Sequence, residues 1–323
     1  MKTGLLPWQQ ASFEKWLARS GYFPPALLIH GPSGTGKVSF AMHLARALLC
    51  ESAHGKPCGE CPACHWFEAE HHPDIRVLDP NQPADDDHQA KGNGQILVDD
   101  IRSLQDFLAL SSHRLGKRLV LLLHAETLNL SAANALLKSL EEPTPATHFI
   151  LVTHVPGRLP ATVRSRCQSL LLPGPRREEA LQWLVEQSID RPETFLDLSG
   201  GSPLDALHLS RMDVGSRVSW LKALSDPHVS LTRLSAMTSK IPVKEWVDWL
   251  HKWVHDLLEQ KVTGRIRYHS DLSELSTRIS HQAGLYDLLV LESQLKEAKR
   301  WLHHPLNERL LAESLLMPFM TMR

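Results

Sequence analysis

The stretch that decides the fold is residues 27–38, which read LLIHGPSGTGKV. Its apolar beginning predicts a buried strand, its glycines predict a tight turn, and the sequence from Lys37 onward is typical of a helix. This order is the setting of a phosphate-binding loop. Backbone N–H groups of such a loop surround phosphate oxygens, and the lysine offsets their charge. The sequence therefore predicts a phosphate loop made of Gly31, Gly34, Thr35, Gly36, Lys37 and Val38.

The residue after the lysine departs from that pattern. A serine or threonine is expected there, because its hydroxyl coordinates Mg²⁺ beside the phosphates. Val38 has no oxygen, and Ser39 would point about 100° away around the helix. Two interpretations of the loop stay open. Either it holds ATP or ADP without hydrolysis, or its glycines serve only the turn.

Apolar and amphipathic segments alternate on both sides of the loop. They predict strands over residues 75–78, 118–123 and 149–153, and helices over 98–110 and 132–141, the second capped by Ser131. This alternation predicts a doubly wound α/β domain with a parallel sheet over residues 1–166.

Beyond residue 166 the strand patterns fade. Short helical segments predict a small helical domain over 167–210, and longer ones predict a helical bundle over 211–323. Apolar residues at helical spacing in the bundle predict a buried stripe. Its members are Trp246, Trp249, Leu250, Trp253, Val254, Leu257 and Leu258.

Composition limits the function classes. The 323 residues include 42% hydrophobic and 22% charged ones, and the formal net charge is −1. This balance is typical of a globular protein and argues against a chain whose main task is to grip nucleic acid. No run approaches the roughly 18 apolar residues of a membrane span, and the beginning of the chain lacks signal-peptide features. We expect a cytoplasmic protein.

Four of the five cysteines lie close together, at positions 50, 58, 61 and 64. Tandem C-x2-C turns bring thiolates onto one tetrahedral ion, and four thiolates close the coordination of a structural zinc. The alternative is four unrelated buried thiols. We expect a structural zinc bound by Cys50, Cys58, Cys61 and Cys64. We expect His65 and His71-His72 at the surface, and an exposed loop over residues 81–94 that contains Asp85-Asp86-Asp87.

Two further stretches carry a resemblance to a known family. Residues 134–143 read NALLKSLEEP and residues 165–167 read SRC. With the phosphate loop and the cysteines, these stretches resemble bacterial clamp-loader ATPase subunits of DNA polymerase III. These are AAA+ proteins that place the sliding clamp on primed DNA. The resemblance covers about the first 210 residues, and the helical remainder fits the family's collar domain.

The resemblance implies an AAA+ phosphate-loop domain, a helical lid over 167–210 and a collar that holds subunits together over 211–323. It also implies gamma/tau and delta subunits as partners in a hetero-oligomeric ring. Contact with the clamp and primed DNA would occur through that complex, and membership of the polymerase holoenzyme would follow. No membrane partner is implied.

Departures from the family pattern distinguish a motor from a non-hydrolysing subunit. The family's acidic magnesium pair would fall at Leu123-His124, and its second sensor arginine at Leu204. With Val38, three parts of a hydrolytic site are degraded, so we expect no intrinsic ATP turnover. The alternatives are a gamma/tau-type motor that hydrolyses ATP, and a free-standing zinc-containing phosphate-loop protein that needs no partner subunits.

The resemblance also gives Arg166 a role. In the family the arginine of this stretch projects into the nucleotide site of a neighbouring subunit. Its guanidinium is permanently charged and stabilises the transferring phosphoryl group. We therefore expect Arg166 to act in trans as an arginine finger, with Arg164 as a second candidate. The alternative for Arg166 is a structural salt bridge. Cys167 is expected to be a small buried residue.

Overall fold

The computed structural model of the chain describes residues 4–18, 23–52, 57–81, 94–109, 117–212, 215–302 and 307–322. The chain divides into two compact units, Met1–Arg176 and Arg177–Arg323. Most of the predicted exposed loop over 81–94, including its aspartates, lies outside the described residues. Among the helices of the described ranges, none has both the length and the apolar character needed to cross a membrane.

The first unit contains a parallel sheet, as predicted. Its described strands run in the order β2-β3-β4-β1-β5, and every neighbouring pair is parallel. The strand that precedes the phosphate loop therefore lies inside the sheet, between β4 and β5. The strands are β1 (Ala26–His30), β2 (Ile75–Leu78), β3 (Arg118–Leu122), β4 (Thr147–Thr153) and β5 (Gln168–Leu171).

Helices cover both faces of this sheet. Alternate residues of β1 point to opposite faces, so Leu27 and Ile29 pack with α1 and α2, whereas Leu28 packs with α4 and α5. Both faces are thus buried, which explains the continuous apolar runs in the sequence. The helices are α1 (Gln10–Leu17), α2 (Lys37–Leu49), α3 (Pro62–Glu68), α4 (Val98–Ala109), α5 (Leu130–Glu141) and α6 (Ala161–Arg164).

Two details of the first unit correct the sequence analysis. Helix α5 is capped by Asn129, whose Oδ1 accepts the Ala132 N–H at 2.7 Å, and not by Ser131. Strand β5 lies beyond residue 166, where no strand was predicted. It pairs with β1 at the sheet edge, and the compact unit continues to Arg176. A short edge strand with polar residues lacks the apolar run by which buried strands are recognised.

The second unit is helical, as predicted. The buried stripe lies on α12, where Trp246, Leu250, Trp253 and Leu257 all face the core. The Trp253 indole also donates to Ser276 Oγ at 2.9 Å, which satisfies its N–H. The helices are α7 (Arg177–Glu186), α8 (Pro192–Leu198), α9 (Pro203–Leu209), α10 (Gly215–Leu224), α11 (Leu231–Thr238), α12 (Val243–Thr263), α13 (Ser273–Gln282), α14 (Leu285–Trp301) and α15 (Glu308–Met322).

Candidate functional site

The phosphate loop forms the turn between β1 and α2 that the sequence predicts. Gly34 and Gly36 have φ values of 63° and 83°, which L side chains rarely adopt. Gly31, at φ 151°, is fixed by close approach: a Cβ there would lie 2.2 Å from the Leu172 carbonyl oxygen. The glycines are therefore required by the backbone path itself.

The beginning of the chain covers this loop. The Trp8 indole donates to the Thr35 carbonyl at 3.0 Å, and the Gln9 amide donates to the carbonyls of Thr35 and Gly36 at 2.9 Å each. The Lys37 ammonium donates to the Pro32 carbonyl within the loop. Thr35 and Lys37 are each only 2% exposed. The loop is thus integrated into the core of the first unit.

The amide groups of the loop retain a capacity for anions. Those of Gly34, Thr35 and Gly36 donate no hydrogen bond to any group within the described ranges of the chain. Adjacent amides at the beginning of a helix favour phosphate oxygens. The backbone of the loop therefore fits a phosphate group, although the Lys37 side chain already donates a hydrogen bond to the Pro32 carbonyl.

Two positions at which the family resemblance predicts Mg²⁺ ligands are occupied by apolar residues. Val38 packs against the apolar core, and the Ser39 hydroxyl donates to the Gly4 carbonyl at 2.7 Å. Leu123 follows β3 and is fully buried. Neither Val38 nor Leu123 carries a side-chain oxygen, and the hydroxyl of Ser39 is engaged elsewhere. In the second unit, Leu204 lies in the first turn of α9 and carries no charge.

The four predicted cysteines converge. Cys50 follows α2, Cys61 caps α3 and Cys64 lies within α3. Their Sγ atoms all lie within 4.8 Å of one another, with separations of 3.6 Å for Cys50–Cys58 and 3.9 Å for Cys50–Cys61. Zn–S bonds of about 2.3 Å place sulfurs about 3.8 Å apart around a tetrahedral ion. The cluster therefore fits a zinc ion.

Backbone N–H groups surround these sulfurs. Cys58 N–H donates to Cys50 Sγ at 3.4 Å, and Cys61 N–H donates to Cys58 Sγ at 3.3 Å. Backbone hydrogen bonds from Glu60 and Cys61 lower the pKa of the Cys58 thiol to about 6, whereas burial raises that of Cys64 to about 12. A bound metal ion would keep both side chains in the thiolate form despite this difference in pKa, because metal ligation requires the thiolate.

Arg166 lies at the surface and is held by a carboxylate. Its Nε donates to Glu141 Oε1 at 2.7 Å, its Nη2 forms an ion pair with the same oxygen, and its Nη1 donates to the Thr162 carbonyl at 2.9 Å. The two side chains are 34% and 48% exposed. Glu141 belongs to the NALLKSLEEP stretch, so the contact joins the two stretches that carry the family resemblance.

Arg164 and Cys167, which lie beside Arg166 in the sequence, have different environments from it. Arg164 is exposed at the end of α6, and no side-chain hydrogen bond or ion pair joins it to other described residues. Cys167 packs against the apolar core, and burial raises the pKa of its thiol to about 11. The environment of Cys167 fits a small packing residue.

One residue of the candidate site, His154, was missed from the sequence, and a second, Glu126, was interpreted as lying too far past the strand end to take part. His154 follows β4 and Glu126 follows β3, and the structure places both beside His124. Adjacent parallel strands end at one sheet edge, and this rule could have indicated the pair. His72 was also misjudged. It is buried rather than at the surface, and its Nδ1 accepts the Asp74 N–H at 3.1 Å.

The fold and the site define a phosphate-loop α/β protein with a cluster of four cysteines that fits a metal ion and an arginine at its surface. Sequence comparison gives the particular family. A family model described as DNA polymerase III, delta subunit, matches residues 10–176. The chain is 33% identical to DNA polymerase III subunit delta' of Pseudomonas aeruginosa, covering 97% of this chain and 96% of that protein. It belongs to the family of DNA polymerase III delta prime subunits.

The chain is also similar to a second delta' subunit in sequence and to one solved structure. DNA polymerase III subunit delta' of Escherichia coli is 35% identical, covering 77% of this chain and 70% of that protein. A crystal structure of a DNA polymerase III gamma subunit-related protein from Thermotoga maritima covers 96% of this chain and 99% of its own length. Its sequence identity is 17% and its TM-score is 0.48. The family assignment rests on the sequence relatives.

Proposed function

We propose that the chain is a non-hydrolysing AAA+ subunit of the DNA polymerase III clamp loader that lends Arg166 to a neighbouring ATPase subunit. The observation that carries this proposal is a contrast within the first unit. Magnesium ligands are replaced by Val38 and Leu123 at the resident site, whereas Arg166 keeps a charged, partly exposed guanidinium. Gamma/tau and delta subunits would be the partners, and the complex would load the sliding clamp on primed DNA.

The contact with Glu141 supports this role chemically. An unpaired arginine on the surface samples many rotamers, and the conformational entropy lost when it becomes ordered would weaken its binding to a neighbouring nucleotide site. The Glu141 carboxylate and the Thr162 carbonyl hold the guanidinium in one position. A partly exposed ion pair contributes only about 1 kcal/mol or less, so a phosphate-bearing partner site can compete for it. The Arg166 side chain is therefore already ordered, and it can still exchange Glu141 for a phosphate group in a partner subunit.

The cysteine cluster and the phosphate loop have supporting roles in this proposal. Four thiolates leave no open position on a zinc ion, so a zinc at Cys50, Cys58, Cys61 and Cys64 would be structural. The amides of Gly34, Thr35 and Gly36, which donate to no group among the described residues, support binding of ATP or ADP phosphates without hydrolysis. A helical lid, which begins after Arg176 rather than at residue 167, and the collar over 211–323 complete the proposed organisation.

The test is ATP turnover by the clamp-loader complex reconstituted with wild type, Arg166→Ala, Arg166→Lys or Arg164→Ala. Arg166→Ala should lower turnover by about tenfold or more, because a finger supplies about 10³–10⁵ at its own site in other NTPases. Lysine should restore little, since an ammonium lacks the planar, forked donors of a guanidinium. Arg164→Ala tests the second candidate and should retain turnover, whereas a loss of turnover confined to Arg164→Ala would transfer the role to Arg164.

Assembly of each complex is checked by gel filtration, so that loss of the ring is separated from loss of the finger. An assembled Arg166→Ala complex with wild-type turnover would refute the finger. Turnover by the isolated chain would favour the gamma/tau-type motor. A chain that binds none of the partner subunits would favour the free-standing phosphate-loop protein.

A further inference from the structure

A second group of metal-binding side chains lies at the carboxyl ends of β3 and β4. His124, Glu126 and His154 each offer one ligand atom, and these atoms all lie within 4.8 Å of one another. We call these residues the strand-end cluster. Strands β3 and β4 are adjacent and parallel, so the segments that follow them meet at one edge of the sheet. This edge is where ligands bind in open α/β sheets.

A tight turn brings Glu126 back toward His124. His124 has a left-handed backbone, with φ 53° and ψ 46°, and its carbonyl accepts both the N–H and the hydroxyl of Thr127 at 2.8 Å. Glu126 Oε1 then lies 3.9 Å from His124 Nδ1, which is too long for a hydrogen bond. The His124 and His154 rings meet edge to face, with centroids 5.2 Å apart.

One carboxylate oxygen of this cluster has no hydrogen-bond partner among the residues that the structure describes. Glu126 is only 9% exposed, and the oxygen concerned is its buried Oε2. Leaving a charged oxygen buried and unpaired is more costly than the roughly 1–3 kcal/mol of a neutral polar group. A buried polar atom in this condition commonly marks the place of an ion or a water. The nearest candidate counter-groups are imidazoles, which are good metal ligands.

We propose that the strand-end cluster binds a divalent transition-metal ion of the zinc, cobalt and nickel class. Imidazole nitrogens suit these ions, whereas Mg²⁺ prefers an all-oxygen shell. Bonds of about 2.0–2.2 Å place ligand atoms about 3.4 Å apart around a tetrahedral ion. The 3.9 Å separation of His124 Nδ1 and Glu126 Oε1 needs to shorten by about half an ångström, which side-chain rotation provides.

The proposed site differs in kind from the cysteine cluster. The cysteine cluster has four thiolates, whereas the strand-end cluster has two imidazoles and one carboxylate, and so leaves a coordination position open.

The location also relates the cluster to the phosphate loop. Thr153, the last residue of β4, is in register with His30, which directly precedes Gly31. His154 follows Thr153, so the strand-end cluster shares its sheet edge with the beginning of the loop. His30 itself contacts Ser169 Oγ through Nε2 at 2.8 Å and stands outside the cluster. It therefore provides a matched histidine for a control variant at the same edge.

The experiment is a calorimetric titration of the full chain with Co²⁺ after a single equivalent of Zn²⁺ has been added, which the four thiolates of the cysteine cluster bind in preference to the strand-end cluster. We expect one additional equivalent of Co²⁺, with an absorption spectrum that lacks the intense sulfur-to-cobalt charge-transfer bands of a thiolate site. His124→Ala, His154→Ala and Glu126→Gln should each weaken this binding by about tenfold or more. His30→Ala should bind as tightly as wild type.

Zinc content and far-ultraviolet circular dichroism are recorded for every variant, so that a misfolded chain is recognised. The nearly isosteric Glu126→Gln tests the site even where a histidine variant does not fold. No second equivalent in the wild type would overturn the proposal. Equal binding by wild type and Glu126→Gln would also overturn it, because the ion would then lie at another histidine.

Discussion

The phosphate loop and Arg166 belong to the same compact unit, yet their environments differ. The loop is buried, is covered by Trp8 and Gln9, and is followed by Val38, which has no oxygen to offer Mg²⁺. Arg166 is partly exposed and is paired with Glu141. The loop is thus part of the core of the unit, whereas the Arg166 side chain is accessible from solvent.

This contrast predicts different costs of substitution on the two sides. Changes in the loop should lower the free energy of unfolding of the first unit, because they disturb buried packing. Changes at Arg166 should leave that free energy nearly intact and alter the behaviour of the assembled complex.

Gly31→Ala should destabilise the first unit by about 3 kcal/mol, since the new Cβ would lie 2.2 Å from the Leu172 carbonyl. The measurement is denaturant unfolding followed by fluorescence. Gly157→Ala is the control, because a Cβ there meets nothing within 4 Å, and it should change stability by less than about 0.5 kcal/mol. Equal stability of the two variants would contradict the view that the loop is sterically fixed to the sheet edge.

Gln9→Ala should cost about 1–2 kcal/mol, because it removes a donor shared by the carbonyls of Thr35 and Gly36 in a buried setting. The matched control is Gln10→Ala, whose side chain pairs with Glu14 on the helix surface and should contribute little. Thermal unfolding of both variants gives the comparison. If Gln9→Ala proved as stable as Gln10→Ala, the hydrogen bonds from Gln9 to the loop would contribute nothing to the stability of the first unit.

Arg166→Ala should lower the free energy of unfolding by less than about 1 kcal/mol, since the Arg166–Glu141 pair is partly exposed and screened. Glu141→Gln removes the same ion pair and should give a similarly small change. Denaturant unfolding of the isolated chain measures both. A loss of several kcal/mol in either variant would mean that the arginine is kept for structure, and the contrast with the loop would fail.

The sequence by itself determined the features that depend on local spacing. The glycine-rich turn after β1, the four converging cysteines and the buried stripe of α12 were all predicted, because each is fixed by residues close together in the chain. The parallel sheet was also predicted, since strands buried on both faces have continuous apolar runs.

Only the tertiary structure decided the features that depend on distant partners. Strand β5 is short and partly polar, and it becomes a strand because β1 offers it an open edge. The pairing of Arg166 with Glu141, the covering of the loop by Gln9 and the meeting of Glu126 with His154 join residues that are far apart in the chain. No periodicity or spacing records such contacts. They form only when the strands and helices pack together, because packing brings side chains from separate segments of the chain within contact distance.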